Sequence, residues 1–265
     1  MCDCKPYVLT FINGAYMPLF DIWLSYVKQN SPSDLRVHVY ALDADVHIDD
    51  DRVDVHAFHV PPHTDVREYR QQLWKMRLAL MTRLVVDEGK TILHSDVDAF
   101  WCASNVVGKL CAISADMVCS AGRRDIPVFT LKRYGFSLCP GLFLLHSTQA
   151  GKRLISAWNK TLLQRSAGLY DDQIALNILL IRQKADFGVP DTDGRQQADF
   201  EIPDADGRRL AVLAELKATI AVLPLEKYTR RPEERGEAYV FHPNLRPTNM
   251  PDKLELLATF GIRKQ

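Results

Sequence analysis

The sequence predicts an α/β fold with a mainly parallel sheet at its centre. The first observation is a strand–helix–strand pattern near the start of the chain. Tyr7–Ile12 is a short β-rich run, Met17–Gln29 carries apolar residues at helical spacing, and Leu35–Leu42 is a second β-rich run. Such a βαβ unit has a right-handed connection. The second observation is that strands and helices continue to alternate through the first half of the chain, which favours a parallel sheet.

Hydrophobic periodicity and turn residues predict the remaining elements. The longest predicted helix is Val66–Asp87, with an expected apolar face of Leu73, Met76, Leu80, Leu84 and Val85. Two Asp-x-Asp-Gly turns indicate a small β insert near residues 186–213. The other predicted strands are Val53–Val60, Thr91–His94, Met117–Ser120, Phe136–His146 with a kink at Pro140-Gly141, Ile220–Leu225 and Ala238–Phe241. The other predicted helices are Thr148–Leu163, Asp171–Ile181 and Asp252–Phe260.

Length and composition favour one globular domain. The chain has 265 residues, of which 47% are apolar and 25% charged, and these are ordinary values for a domain with its own core. Lys plus Arg and Asp plus Glu both number 33, so there is no basic excess of the kind that a nucleic-acid binder needs. No apolar run is long enough for a transmembrane helix, and no leader precedes Tyr7. We therefore expect a cytoplasmic location, no membrane span and no nucleic-acid partner.

Polar residues stand after several of the predicted strands. Asn13 follows the first strand, Asp43 follows the second, Asp96 and Asp98 follow the strand after the long helix, and His242 follows the late strand. Ligands of open α/β sheets bind beyond the carboxyl ends of the strands. A carboxylate pair and an imidazole at strand ends can converge on one cation.

The Asp-x-Asp pattern at 96/98 differs from the others in its surroundings. The chain has 24 Asp against 9 Glu, and the same pattern occurs at 43/45, 49/51, 191/193 and 204/206. Only the pair at 96/98 lies between an apolar strand and an aromatic pair, Phe100-Trp101. On a short turn, both carboxylates can face one Mn²⁺ or Mg²⁺, because these cations take oxygen ligands and leave room for substrate phosphates. The spacing alone equally allows both Asp to cap the next helix.

Several motifs occur in the order typical of one enzyme family. In chain order they are Tyr7–Leu24, Ala41–Asp43, Lys75, His94–Trp101 (HSDVDAFW), Pro140–Thr148, Asp172–Asn177 (DQIALN) and His242–Asn244. With them the sequence resembles the nucleotide-diphospho-sugar transferase family, glycosyltransferases of the GT-A fold, and within it the retaining α-galactosyl-, xylosyl- and arabinosyltransferases. The resemblance covers nearly the whole chain except about residues 186–215. It implies a Rossmann-like mixed sheet flanked by helices in a single domain over residues 1–265, with a nucleotide-sugar half at 1–115 and an acceptor half at 116–265.

The resemblance also implies an activity and its residues. The activity is metal-dependent, retaining transfer of a hexosyl or pentosyl group from a UDP-sugar donor to a hydroxyl of a glycan or protein acceptor. Asp96, Asp98 and His242 match the ligands of Mn²⁺ or Mg²⁺, and Asp172 and Gln173 match the catalytic pair beside the transferred sugar. Substrate-binding positions are implied for Thr10, Asn13, Asp43, Lys75, Asp96, Gly141 and Asp171.

Alternatives remain for the function and for single residues. A haloacid-dehalogenase-like phosphatase also places Asp-x-Asp after a strand, and an inactive GT-A-like module would bind a nucleotide sugar without turnover. Asn13 could serve only its turn, Asp171 could only cap a helix, and Lys75 could lie on a solvated face. For His242 we expect an imidazole within about 8 Å of the Asp98 carboxylate if both bind one cation.

Overall fold

The computed structural model describes most of the chain. The described residues are 5–62, 65–122, 127–164, 171–185, 187, 209–224, 227–230, 232–243, 245 and 249–264. The strands are β1 (Tyr7–Ile12), β2 (Val37–Ala41), β3 (Val53–Ala57), β4 (Ile92–Ser95), β5 (Phe100–Trp101), β6 (Met117–Gly122), β7 (Ser137–Leu145), β8 (Arg209–Leu213), β9 (Ala218–Val222), β10 (Tyr228–Thr229) and β11 (Val240–Phe241). The α-helices are α1 (Met17–Asn30), α2 (Val66–Val86), α3 (Val106–Cys111), α4 (Val128–Tyr134), α5 (Gln149–Leu163), α6 (Asp172–Arg182) and α7 (Met250–Thr259).

The chain folds into two compact units. The first contains Met1–His59, Leu93–Ala112 and Leu225–Gln265, and the second contains Val60–Ile92 and Ile113–Pro224. Each unit therefore combines segments that are far apart in the sequence.

The first unit has a parallel βαβ core. Its strands lie in the order β3-β2-β1-β4, and β1, β2 and β3 are parallel, with Val37 opposite both Val8 and Val53. The indole of Trp23 on α1 is completely buried and donates to the Ser95 hydroxyl at 3.2 Å and the Ala99 carbonyl at 3.1 Å. These two bonds tie α1 to the turn that follows β4.

A small second sheet of the same unit holds the late strand. Its order is β10-β11-β5, with β11 parallel to β10 and antiparallel to β5. We predicted that the late strand would join the parallel sheet, and that prediction is wrong. Only two residues, Val240 and Phe241, form the strand, and they pair with the two aromatic residues of β5. All four of these side chains are buried, so the apolar character that predicted a central strand comes from this small sheet instead.

The second unit has a mixed sheet with helices packed together. Its strands lie in the order β7-β6-β9-β8, in which β6 is antiparallel to β7 and parallel to β9, and β8 is antiparallel to β9. The helices α2, α5 and α6 contact one another, and α6 also packs on β7. The β6–β7 ladder is interrupted between Cys119, which faces Phe143, and Ser120, which faces Cys139. The kink predicted at Pro140-Gly141 is therefore a bulge in a continuous strand.

The predicted α/β fold of mixed strands flanked by helices is confirmed, and most elements begin and end within a few residues of the predicted bounds. The face of α2 differs from the prediction. Its buried residues are Leu78, Met81, Leu84 and Val85, whereas Leu73, Met76 and Leu80 are only partly buried. Residues with a spacing of three and four occur on two adjacent faces of this helix, and periodicity alone does not decide which face meets the core.

The predicted β insert falls largely on residues 186 and 188–208, which lie outside the described residues. Its described end, β8, forms a hairpin with β9 and so belongs to the sheet of the second unit. Among the described residues, no helix combines the length and the apolar character that a membrane span requires.

Candidate functional site

The turn after β4 carries the two carboxylates of the Asp-x-Asp pattern. The strand is buried along its whole length and ends at Ser95, and the N–H of Ala99 donates to the Asp96 carbonyl at 3.0 Å to close the turn. The side chains of Asp96 and Asp98 are 37% and 28% exposed, so both reach solvent. Because β5 begins directly after this turn, the two Asp do not cap a helix.

The small sheet brings His242 to this turn. In the antiparallel register Phe241 faces Phe100, so the next residue along β11, His242, comes opposite Ala99. The His242 Nε2 atom lies 3.1 Å from Asp98 Oδ1, well inside the distance expected of two ligands of one cation, and its side chain is 12% exposed. On the other side, His94 Nε2 lies 3.1 Å from Asp96 Oδ1, and His94 is completely buried.

The donor atoms of this group suit a divalent cation. One ligand atom from each of Asp96, Asp98 and His242 lies within 4.8 Å of the others, and in the part of the chain that the structure describes this is the group found with such geometry. Carboxylate oxygens suit Mg²⁺ and Mn²⁺ alike, and an imidazole nitrogen suits the transition metal better. The residues therefore fit Mn²⁺, with exposed carboxylates that leave coordination positions open to solvent or substrate.

The ends of β1 and β2 form a second polar group in the first unit. The Asn13 carboxamide accepts the N–H of Tyr16 at 3.2 Å and caps a short 3₁₀ helix, Gly14–Tyr16. The Asp43 carboxylate accepts the N–H of Gly14 with both oxygens, at 3.0 and 3.1 Å. A Cβ on Gly14 would lie 3.0 Å from the Asp45 Cβ, so the close approach of the two strand ends depends on glycine. Asp43 is exposed, whereas Thr10 in the middle of β1 is completely buried.

In the second unit, Asp172 is held in a buried ion pair. Its Oδ2 atom accepts a hydrogen bond from Arg77 Nη2 at 2.9 Å, and the two side chains are 7% and 14% exposed. Asp172 Oδ1 accepts the N–H of Gln173 at 3.0 Å, and the Asp172 carbonyl accepts the indole N–H of Trp158 at 2.8 Å. The carboxylate is therefore fixed in orientation by α2 and by its own helix.

Asp171 caps the same helix, as the simpler alternative predicted. Its carboxylate accepts the N–H of Ile174 at 2.7 Å. Burial raises the pKa of the Asp171 carboxyl, and the neighbouring Asp172 carboxylate adds to the rise, whereas the Ile174 N–H and the Arg77 guanidinium oppose it.

Two residues of the predicted set have less specific surroundings. Lys75 on α2 is partly exposed, and Arg77, two positions further on, makes the ion pair with Asp172 instead. Gly141 is buried in the bulge of β7. Sequence reasoning missed Arg77 and His94. Arg77 carries no local signal, because the choice between two cations on one helix depends on which face meets the core, whereas His94 could have been noted as the residue two positions before Asp96.

Comparisons with known proteins agree with the resemblance seen in the sequence. The model of the family described as nucleotide-diphospho-sugar transferase matches residues 33–257. A search of curated proteins gives no match.

Solved structures with a similar fold are glycosyltransferases. The apo structure of the WbbM bifunctional glycosyltransferase has a TM-score of 0.44 and 9% identity over 66% of this chain, which spans 37% of that protein. The apo form of mouse xyloside xylosyltransferase 1 has a TM-score of 0.47 and 13% identity over 67% of this chain and 82% of that one. The galactosyltransferase LgtC in complex with donor and acceptor sugar analogs has a TM-score of 0.42 and 12% identity over 64% of this chain and 69% of that one.

Proposed function

The chain belongs to the nucleotide-diphospho-sugar transferase family, a family of glycosyltransferases, and from this premise we propose that it is a divalent-metal-dependent enzyme acting on UDP-sugars. The reaction is transfer of a hexosyl or pentosyl group to a hydroxyl of a glycan or protein acceptor, with retention at the anomeric carbon. The chain spans 37% of the first similar structure, so donor, acceptor and stereochemistry are proposals for this chain alone.

The observation that carries the proposal is the group formed by Asp96, Asp98 and His242. It offers two carboxylate oxygens and one imidazole nitrogen within 4.8 Å of one another at the end of a buried strand. When bound there, Mn²⁺ would neutralise the charge that develops on the leaving diphosphate. The side chains hold their places without a ligand, because Asp98 contacts His242 and Asp96 contacts His94. Such preorganisation lowers the reorganisation that the reaction needs.

For the transferred sugar we propose Asp172 and Gln173, on the strength of the family resemblance. An ionised carboxylate stabilises the positive charge of an oxocarbenium-like sugar. The Arg77 guanidinium favours the ionised form of Asp172 by its charge and its hydrogen bond. Because Asp172 Oδ2 is bonded to Arg77 and Oδ1 to a backbone N–H, we propose electrostatic stabilisation and no covalent bond to the sugar. Nucleoside contacts by Asn13 and Asp43, and the cytoplasmic location, remain predictions.

A thermal-shift panel with and without Mn²⁺ tests the function. UDP, UDP-glucose, UDP-galactose, UDP-xylose, GDP and CMP are each added to the protein, and release of UDP is measured in parallel. A ligand at 100 times its Kd stabilises the native state by about 2.7 kcal/mol. We expect this stabilisation for UDP compounds only with Mn²⁺, together with slow release of UDP from one of the sugars.

The other outcomes separate the alternatives. Stabilisation without any release or transfer would indicate a binding module. Hydrolysis of p-nitrophenyl phosphate without nucleotide binding would indicate a phosphatase. A larger shift with GDP than with UDP would contradict the proposed donor, and no shift with any nucleotide would contradict the function itself.

A further inference from the structure

Asn177 is a buried polar residue of α6 that the proposed reaction does not use. It is completely buried. Its Oδ1 atom accepts the N–H of Leu138 at 2.9 Å, and its Nδ2 atom donates to the carbonyls of Leu138 at 2.9 Å and Gln173 at 2.8 Å. A carboxamide has two N–H hydrogens and one carbonyl, so these three bonds use both of its hydrogens and its acceptor.

The bonds to Leu138 make the carboxamide a substitute for a neighbouring strand. Leu138 lies on β7 opposite Ala121 of β6. In an antiparallel pair, the N–H and C=O of one residue point to the same side. Because both groups of Leu138 bond to Asn177, they point away from β6. Two bonds to one residue restrict the rotation of α6 on β7 as well as the distance between them.

The third bond and its neighbours hold the first turn of α6. Gln173 accepts from Asn177, and Asp172 is held by Arg77 through its carboxylate and by Trp158 through its carbonyl. The helix start is thus connected to α2, to α5 and, through Asn177, to β7. On β7, Leu138 is followed directly by Cys139–Gly141, where the ladder to β6 is interrupted.

We propose that Asn177 is a positioning residue for the transfer reaction, which sets the place of Asp172 and Gln173 against the bulge of β7 without contacting substrate. Its kinetic consequence rests on the proposed function, and its structural consequence does not. A misplacement of about 1 Å in an active site can cost about 100-fold in rate. A carboxamide that fixes distance and rotation together therefore has a measurable effect on turnover.

Hydrogen exchange tests the structural consequence without any ligand. The variants are Asn177→Ala and Asn177→Asp, which keeps the size and one acceptor but loses both donors. The matched control is Thr161→Val on α5, where a buried hydroxyl donates to the Ala157 carbonyl of its own helix. We expect faster exchange in peptides covering residues 137–142 and 171–178 of both Asn177 variants and not of the control. Unchanged exchange there would overturn the proposal.

Steady-state kinetics test the functional consequence. The probe is the UDP-sugar that the wild-type protein hydrolyses fastest with Mn²⁺, and rates are expressed per folded molecule. We expect kcat to fall by about 10- to 100-fold in both Asn177 variants. KM and the affinity for UDP with Mn²⁺ should stay within about a factor of three, because the metal group is not touched. A merely structural role would lower stability with an unchanged kcat, and that result would overturn the proposal.

Failure of the two proposals can be told apart. If the wild-type protein hydrolyses no UDP-sugar, the proposed function is wrong, and the exchange experiment alone decides whether Asn177 positions the start of α6.

Discussion

Removal of Arg77 should destabilise the protein far more than removal of a surface arginine on the same helix. Arg77 pairs with Asp172 at 2.9 Å, and the side chains are 14% and 7% exposed. In Arg77→Met the carboxylate stays buried without its partner, which costs about 3–5 kcal/mol. Arg83 on the same helix pairs with Glu88 at 3.3 Å, but these side chains are 61% and 35% exposed. A pair of this kind contributes about 0–1 kcal/mol, so Arg83→Met is the matched control.

Urea unfolding followed by circular dichroism measures this difference. With a slope on the order of 2–3 kcal/mol per molar urea, the Arg77→Met midpoint should fall by about 1–2 M, and the Arg83→Met midpoint should hardly change. The double variant Arg77→Met with Asp172→Asn removes the buried charge and should recover more than half of the loss, because the cost arises from the uncompensated carboxylate.

Two results would refute the reasoning. Equal midpoints for Arg77→Met and Arg83→Met would mean that the Arg77–Asp172 pair is as well hydrated as the surface pair. No recovery in the double variant would mean that lost packing of the Arg77 side chain, and not the charge of Asp172, causes the destabilisation.

Three further predictions concern the candidate site. Asp98→Asn should lower the Mn²⁺-dependent affinity for UDP by at least about 100-fold with an unchanged melting temperature in EDTA, and retained affinity in calorimetry would remove Asp98 from the ligand set. His242→Ala should weaken the same affinity at about pH 7.5 and abolish its decline below about pH 6, because a protonated imidazole cannot bind a metal; a decline that persists in the variant would assign the titration to another group. Asp171→Asn keeps a helix cap and removes a carboxyl whose pKa is raised in the folded state, so stability that wild-type loses as pH rises through that pKa should be retained, whereas Asp171→Ala should lose about 1 kcal/mol; urea midpoints at acid and neutral pH compare them, and a loss in Asn equal to that in Ala would contradict the burial effect.

Much of the local structure could be read from the sequence. The bounds of β1 were predictable because a β-rich run ends at Asn13-Gly14, and Asn13 caps the turn that follows. The helix start at Asp171 was predictable for the same reason, since a short acidic side chain can accept the free N–H groups of a first helical turn. These features depend on neighbours within a few residues, where chemical type and spacing are sufficient.

The metal group was predictable in its members and not in its geometry. The strand before Asp96 and the aromatic pair after Asp98 marked the turn, and the family motif order marked His242. The path of His242 to Asp98 was predicted through the parallel sheet, but the structure uses the separate pairing of β11 with β5. Two strands of two residues each carry too little periodicity to indicate a partner.

The sequence by itself therefore determined the α/β class, most element bounds and the order of the family motifs, because each depends on short-range patterns of apolar, turn and capping residues. Only the tertiary structure decided which cation on α2 faces Asp172, that Asn177 closes the open edge of Leu138, and that β5 and β11 bring His242 to within 3.1 Å of Asp98. Those contacts join residues that are far apart along the chain. They depend on which face of a helix is buried and on strand register, and both are set by packing of the whole unit rather than by any local preference.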